Sequence, residues 1–89
     1  MSTLNLIDVK QAVRSVIIYF NDLQNILSLS HSIRDLRLEE VELVESQWLI
    51  TLGYSIPKDD LGMQLVREYK IFMVDAETGD VTAMKIREL

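Results

Sequence analysis

Apolar residues recur at spacings of three and four in the first third of the chain and at a spacing of two thereafter. The first pattern predicts a helix and the second predicts strands, because side chains repeat about every 3.6 residues around a helix and alternate across a strand. Val9, Val13, Val16, Phe20, Leu23 and Leu27 form the helical stripe, widened on one side by Ala12, Tyr19 and Ile26, and place the helix from about Leu6 to Leu27. Two caps compete for its start. Asn5 can cap it with Asp8 in the third helical position and Leu4 stapled against Val9, or Asp8 can cap it one turn later with Gln11. The stop is the run Ser28 to Ser32, whose hydroxyls compete for backbone hydrogen bonds.

From Ile33 onward, apolar stretches separated by short polar breaks predict a four-stranded antiparallel meander. A two-residue turn at Ser46 and Gln47 sets Glu45 against Trp48, Leu43 against Ile50 and Val41 against Leu52. A turn over Asp75 to Asp80, with Gly79 suited to a positive φ, sets Met73 against Thr82, Ile71 against Met84 and Tyr69 against Ile86. The expected helix-covered face therefore carries Trp48, Ile50, Leu52, Tyr69, Ile71, Met73 and Met84.

The opposite face is then expected to carry Glu40, Glu42, Thr51, Glu68, Lys70, Lys85 and Arg87 together with an apolar patch of Val44, Leu49, Phe72, Val74, Val81 and Ala83. Phe72 faces Ala83 there, and Val74 faces Val81. Leu36 and Leu38 fall on the opposite parity from Val41 and Leu43. Either a bulge near Glu39 and Glu40 brings them to the buried face, or they extend the outer patch. The connection from Ile56 to Val66, with Pro57, Asp59, Asp60 and Gly62, is long for a hairpin loop and could act as a flap.

The fold class expected is α+β, one amphipathic helix on a four-stranded meander in the order α-β-β-β-β, as one domain over residues 1–89. Length supports one domain, since 89 residues sit just above the size at which burying enough apolar surface becomes difficult. Cysteine is absent, which removes disulfides, thiolate ligands and cysteine nucleophiles and leaves the core to hold the fold. Met1 to Leu6 lacks the features of an export signal, and the longest apolar run, Val16 to Phe20, is far too short to span a bilayer. A cytoplasmic location is expected. A formal net charge of −5, from Glu39, Glu40, Glu42, Glu45, Asp59 and Asp60 above all, argues against binding phosphate backbones and for a solvated acidic surface.

Candidate chemistry is sparse. Asp75, Glu77, Gly79 and Asp80 superficially resemble a calcium loop, but their spacing is that of a hairpin turn between strands. His31, the only histidine, has no second histidine or cysteine to complete a metal site, and its neighbours Ser30 and Asp35 come with no nucleophile elbow. Gly53, Gly62 and Gly79 belong to no phosphate-binding pattern. No catalytic residue, cofactor, metal, nucleic acid or membrane contact is expected.

The segment Arg67 to Val81 reads as an aromatic-led strand with Tyr69 and Phe72, then Val74, Asp75-Ala76, a Thr78-Gly79 turn and Val81. It resembles the closing hairpin of PepSY-type domains, and Trp48-Leu49-Ile50-Thr51 fits the strand preceding it. The resemblance covers roughly the last half of the chain and implies a helix on a curved antiparallel sheet of cystatin-like architecture. It also implies a peptidase-regulator role, although PepSY-type domains are usually extracytoplasmic. From the residues themselves the expected function is a non-enzymatic interaction module. Its outer sheet face, through Val44, Leu49, Phe72, Val74, Val81 and Ala83, receives a protein partner or a second copy to form a homodimer. The alternative is a small-molecule binder or enzyme with a pocket between helix and sheet.

Overall fold

The computed structural model describes residues 6–26, 33–59 and 61–87. The helix α1 (Val9–Ile26) is followed by the strands β1 (Arg34–Val44), β2 (Gln47–Pro57), β3 (Leu65–Asp75) and β4 (Val81–Ile86). All neighbours pair antiparallel in the sheet order β1-β2-β3-β4, the α+β arrangement that the change of period implied. Of the two candidate caps, Asp8 is the one formed. Its carboxylate accepts the Gln11 amide at 2.8 Å while the Gln11 side chain accepts the Asp8 amide at 3.0 Å, the reciprocal box that satisfies two otherwise orphaned donors. Asn5, Leu27 and the Ser28 to Ser32 stop lie outside the described residues.

The helix buries Ala12, Val16 and Phe20 against Ile50, Leu52, Tyr54, Phe72 and Val74. Phe20 lies 5.3 Å from Tyr54 and 5.8 Å from Phe72 between ring centroids, and Tyr19 meets Phe72 edge-on at 6.2 Å. At the other end Trp48 donates its indole N–H to the Ile7 carbonyl at 3.0 Å, and the Ile7 amide donates to Ala76 at 2.7 Å. The residues leading into the helix are thus fastened to the turn end of the sheet before the first helical turn begins.

Two registers and the side of one strand differ from the alternation-based expectation. The β1–β2 turn is Glu45-Ser46, one residue earlier than expected, with Glu45 at a φ of 57°. Leu43 now opposes Trp48 and Val41 opposes Ile50, so the sides are those expected although the partners have shifted. The β3–β4 ladder keeps Val74 against Val81, but Thr82 is skipped as a bulge, and Phe72 opposes Met84 while Ile71 opposes Lys85. The bulge puts both Val81 and Met84 on the side of the helix, where they pack on the core.

The third difference reverses a face. β2 pairs with β3 so that Ile50 opposes Phe72, Trp48 opposes Val74 and Leu52 opposes Lys70. Phe72 and Val74 are therefore beneath the helix, each 0% exposed, and Val81 is packed beside them rather than on the outer patch. Tyr69, Ile71 and Met73 go to the outer side, and Glu68 and Lys70 come to the helix side. Both sides of β3 are apolar, so alternation within β3 carries no sign. Only its pairing with β2 decides which side turns inward.

That pairing depends on how the connection closes. Both strands run into it as far as Pro57 opposite Leu65, leaving residues 58–64 as the loop. Lys58 donates its amide to the Gln64 carbonyl at 2.8 Å, and Asp59 accepts the Gly62 amide at its carbonyl and the Met63 amide at its carboxylate.

On β1, Leu38 opposes Leu52 while Glu40 opposes Thr51, so Glu39 is the extra residue of a bulge. Leu38 and Val41 consequently share the helix side, which resolves the two placements left open by parity in favour of the bulge. A second irregularity lies between Arg34 and Arg37, where Asp35 adopts a φ of 56°.

Candidate interaction surface

The outer face of the sheet has two zones. Near the Glu45-Ser46 turn it carries Val44, Leu49, Met73 and Ala83, joined by Ile71 further along. Three residues of the expected patch, Val44, Leu49 and Ala83, are here; Phe72, Val74 and Val81 are in or against the core, and Met73 and Ile71 stand in their place. Val44 is exposed, whereas Leu49, Ile71, Met73 and Ala83 are half-buried by their neighbours on the sheet.

The second zone is ionic. Arg67 reaches Glu39 at 3.3 Å and the Asp35 carboxylate at 3.6 Å, and donates to the Asp35 carbonyl at 2.7 Å and the Ser55 hydroxyl at 3.2 Å. Arg87 pairs with Glu40. An open cleft of about 480 Å³ lies between the zones, with Leu49, Thr51 and Ile71 as floor and Glu40, Glu42 and Arg87 at the rim. The Glu40 carboxylate is held by the Arg87 guanidinium beside it.

Gly53 makes this zone possible. A Cβ there would meet Glu39 Cγ at 2.9 Å and Tyr69 Cε1 at 3.0 Å, so both side chains lie directly over the β2 backbone. The Glu39 bulge and the bare Gly53 together bring Glu39 across β2 to Arg67 on β3. Glycine inside a strand is the sequence signal for such a close approach, but the residues that approach it come from two other strands and cannot be read from its position.

The space between the helix and the central strands β2 and β3 is filled by Val16, Phe20, Ile50, Leu52 and Phe72. Beside this core, Tyr54 donates its hydroxyl to Glu68 at 3.2 Å across the β2–β3 pair. Burial, then the Glu68 charge, then this hydrogen bond push the phenol well above its ordinary value near 10. A folded-state pKa above the unfolded one contributes stability that is fully present below about pH 10 and is lost as the pH rises above it, because the unfolded chain then ionises first. Thermal melts from pH 8 to 11 should therefore show the wild-type midpoint falling more steeply above pH 10 than that of Tyr54→Phe, which has no phenol to titrate; equal slopes would contradict the assignment.

The Asp75 to Asp80 segment is built as a turn. One Asp75 oxygen accepts the Glu77 amide at 2.8 Å and the Thr78 amide at 3.2 Å, Gly79 has a φ of 84°, and the Asp75 amide donates to the Asp80 carbonyl at 2.9 Å. Among the described residues no group of three or more histidine, cysteine, aspartate or glutamate side chains is placed to hold a metal ion. His31 lies outside them. No helix among the described residues is long and apolar enough to cross a membrane.

Compared with protein-family models, curated proteins and solved structures, the chain has no significant match in any of the three.

Proposed function

We propose that this chain is a non-enzymatic protein-interaction module that receives its partner on the outer face of the sheet, around Val44, Leu49, Met73 and Ala83. The observation that carries the reading is the apolar zone on the side away from the only helix among the described residues. A two-layer domain covers one sheet face, and a contiguous apolar zone left on the other marks a contact surface. The ion pairs Arg67–Glu39 and Arg87–Glu40 give that zone a polar border. A cytoplasmic setting belongs to the same reading, and a peptidase, as the PepSY-like hairpin implies, is one special case of the partner.

The test is affinity capture from the native cells with wild type and Leu49→Lys as baits, quantified by mass spectrometry. A bound protein should drop at least tenfold with Leu49→Lys, the scale expected for a charge placed in a contact centre, while both baits melt at similar temperatures. Identical captures from the two folded baits would defeat the proposal.

A further inference from the structure

The strand β1 is an edge strand exposed along its whole length. The helix cannot reach over it. A helix is about 10–12 Å across with its side chains, whereas four strands at about 4.8 Å spacing make a wider sheet, and α1 packs its core residues on β2 and β3. Leu36, Leu38, Val41 and Leu43 therefore remain uncovered on the helix side, between 37% exposed at Val41 and 48% at Leu38. An open groove beside Leu38 is walled by Val9, Lys10, Val13 and Arg14 of the helix.

The charges of this edge are ordered. Arg34 and Arg37 lie in its first half with Asp35 between them, and Glu39, Glu40, Glu42 and Glu45 follow from its midpoint to just past its end. Such a strand is complementary to itself when reversed. We infer that β1 pairs antiparallel with β1 of a second copy of this chain across a two-fold axis, setting Leu38 against Val41, Leu36 against Leu43, Arg37 against Glu42 and Arg34 against Glu45, each pair made twice.

Three features support this register. Leu38 and Val41 share a face only because Glu39 is bulged, and about the two-fold axis the bulged Glu39 of each strand faces Glu40 of the other, so that apolar residues oppose apolar ones on both sides of the axis. A slip of one residue would set Leu38 against Glu40 and Leu36 against Glu42, opposing apolar to charged side chains. The glutamates nearest the axis, Glu39 and Glu40, are already compensated within each copy by Arg67 and Arg87. Arg37 must leave Asp35, but both are more than half exposed and such a pair is weak.

The inference rests on reading the chain as an interaction module and names one partner for it, at the edge rather than on the outer face. Sedimentation velocity of the full chain at low ionic strength tests it. Wild type should sediment as a dimer of the 10.3 kDa chain. Arg37→Glu and Glu42→Arg should each raise the dimer dissociation constant about tenfold or more, and the double variant should return it to within a few-fold of wild type. A monomer at all concentrations, a dimer indifferent to both reversals, or a double variant no better than the singles would each overturn the pairing. If the pairing fails while the Leu49-dependent capture persists, the interaction module stands without it; if both fail, neither does.

Discussion

Phe72→Ala is expected to lower stability by about 3–5 kcal/mol, the range for truncating a buried phenylalanine without collapse of the cavity. Phe72 is fully buried, touches Phe20 and Tyr19 edge-on, and faces Ile50 and Met84 on either side of its strand. No neighbour can move in to fill the hole, because Ile50, Val16 and Val74 are themselves held by the same core. A domain of this size has a total stability of order 5–10 kcal/mol. The urea midpoint should then fall by roughly 2–3 M, read from the fluorescence of Trp48, the only tryptophan. Met73→Ala, one residue along on the outer face, should shift it by less than about a third as much. Equal losses at the two positions would place β3 the other way up.

Trp48→Ala should be the next most costly change, at about 2–3 kcal/mol. The ring is half-buried against the core, and its N–H is the bond that holds the Ile7 carbonyl. Trp48→Phe separates the two contributions, since it keeps an aromatic body and removes only the donor, for about 1 kcal/mol. The decisive reading is local. Hydrogen exchange at the Ile7 amide, which donates to Ala76, should quicken in Trp48→Phe by about tenfold while amides in the centre of β2 stay protected. Equal quickening across the sheet would mean that the indole bond supports the whole fold rather than the docking of the segment before α1.

The two experiments bear on different levels of what was legible. The helix could be read from its stripe, and its start from Asp8 and Gln11, because both signals are local. The hairpin turns could be placed within a residue for the same reason. The side of β1 and β2 that faces the helix was also readable, since their apolar residues lie mainly on one parity once the bulge at Glu39 is allowed. On β3 this failed. Ile71 and Met73 are as apolar as Phe72 and Val74, and nothing within the strand distinguishes them.

The candidate surface inherited that ambiguity. Val44 and Leu49 lie on the outer face as expected because β2 fixes them directly or through one ladder; Phe72, Val74 and Val81 turned inward with β3, and Ala83 stays outside only because the bulge at Thr82 offsets that reversal. The Arg67 cluster was not legible at all. Its members come from three strands and meet over Gly53, a convergence set by two bulges and the spacing of strands rather than by any run of residues.

By itself the sequence determined the class of the fold, the helix with its two candidate caps, and the existence of an uncovered apolar face, for these follow from period and position along the chain. Only the tertiary structure decided which side of β3 is buried, where the bulges fall and which residues form the outer face. The reason is physical. A strand apolar on both sides gains comparable free energy from burying either one, so the choice passes to its hydrogen-bonded neighbour, whose register is set by how residues 58–64 close between Pro57 and Leu65.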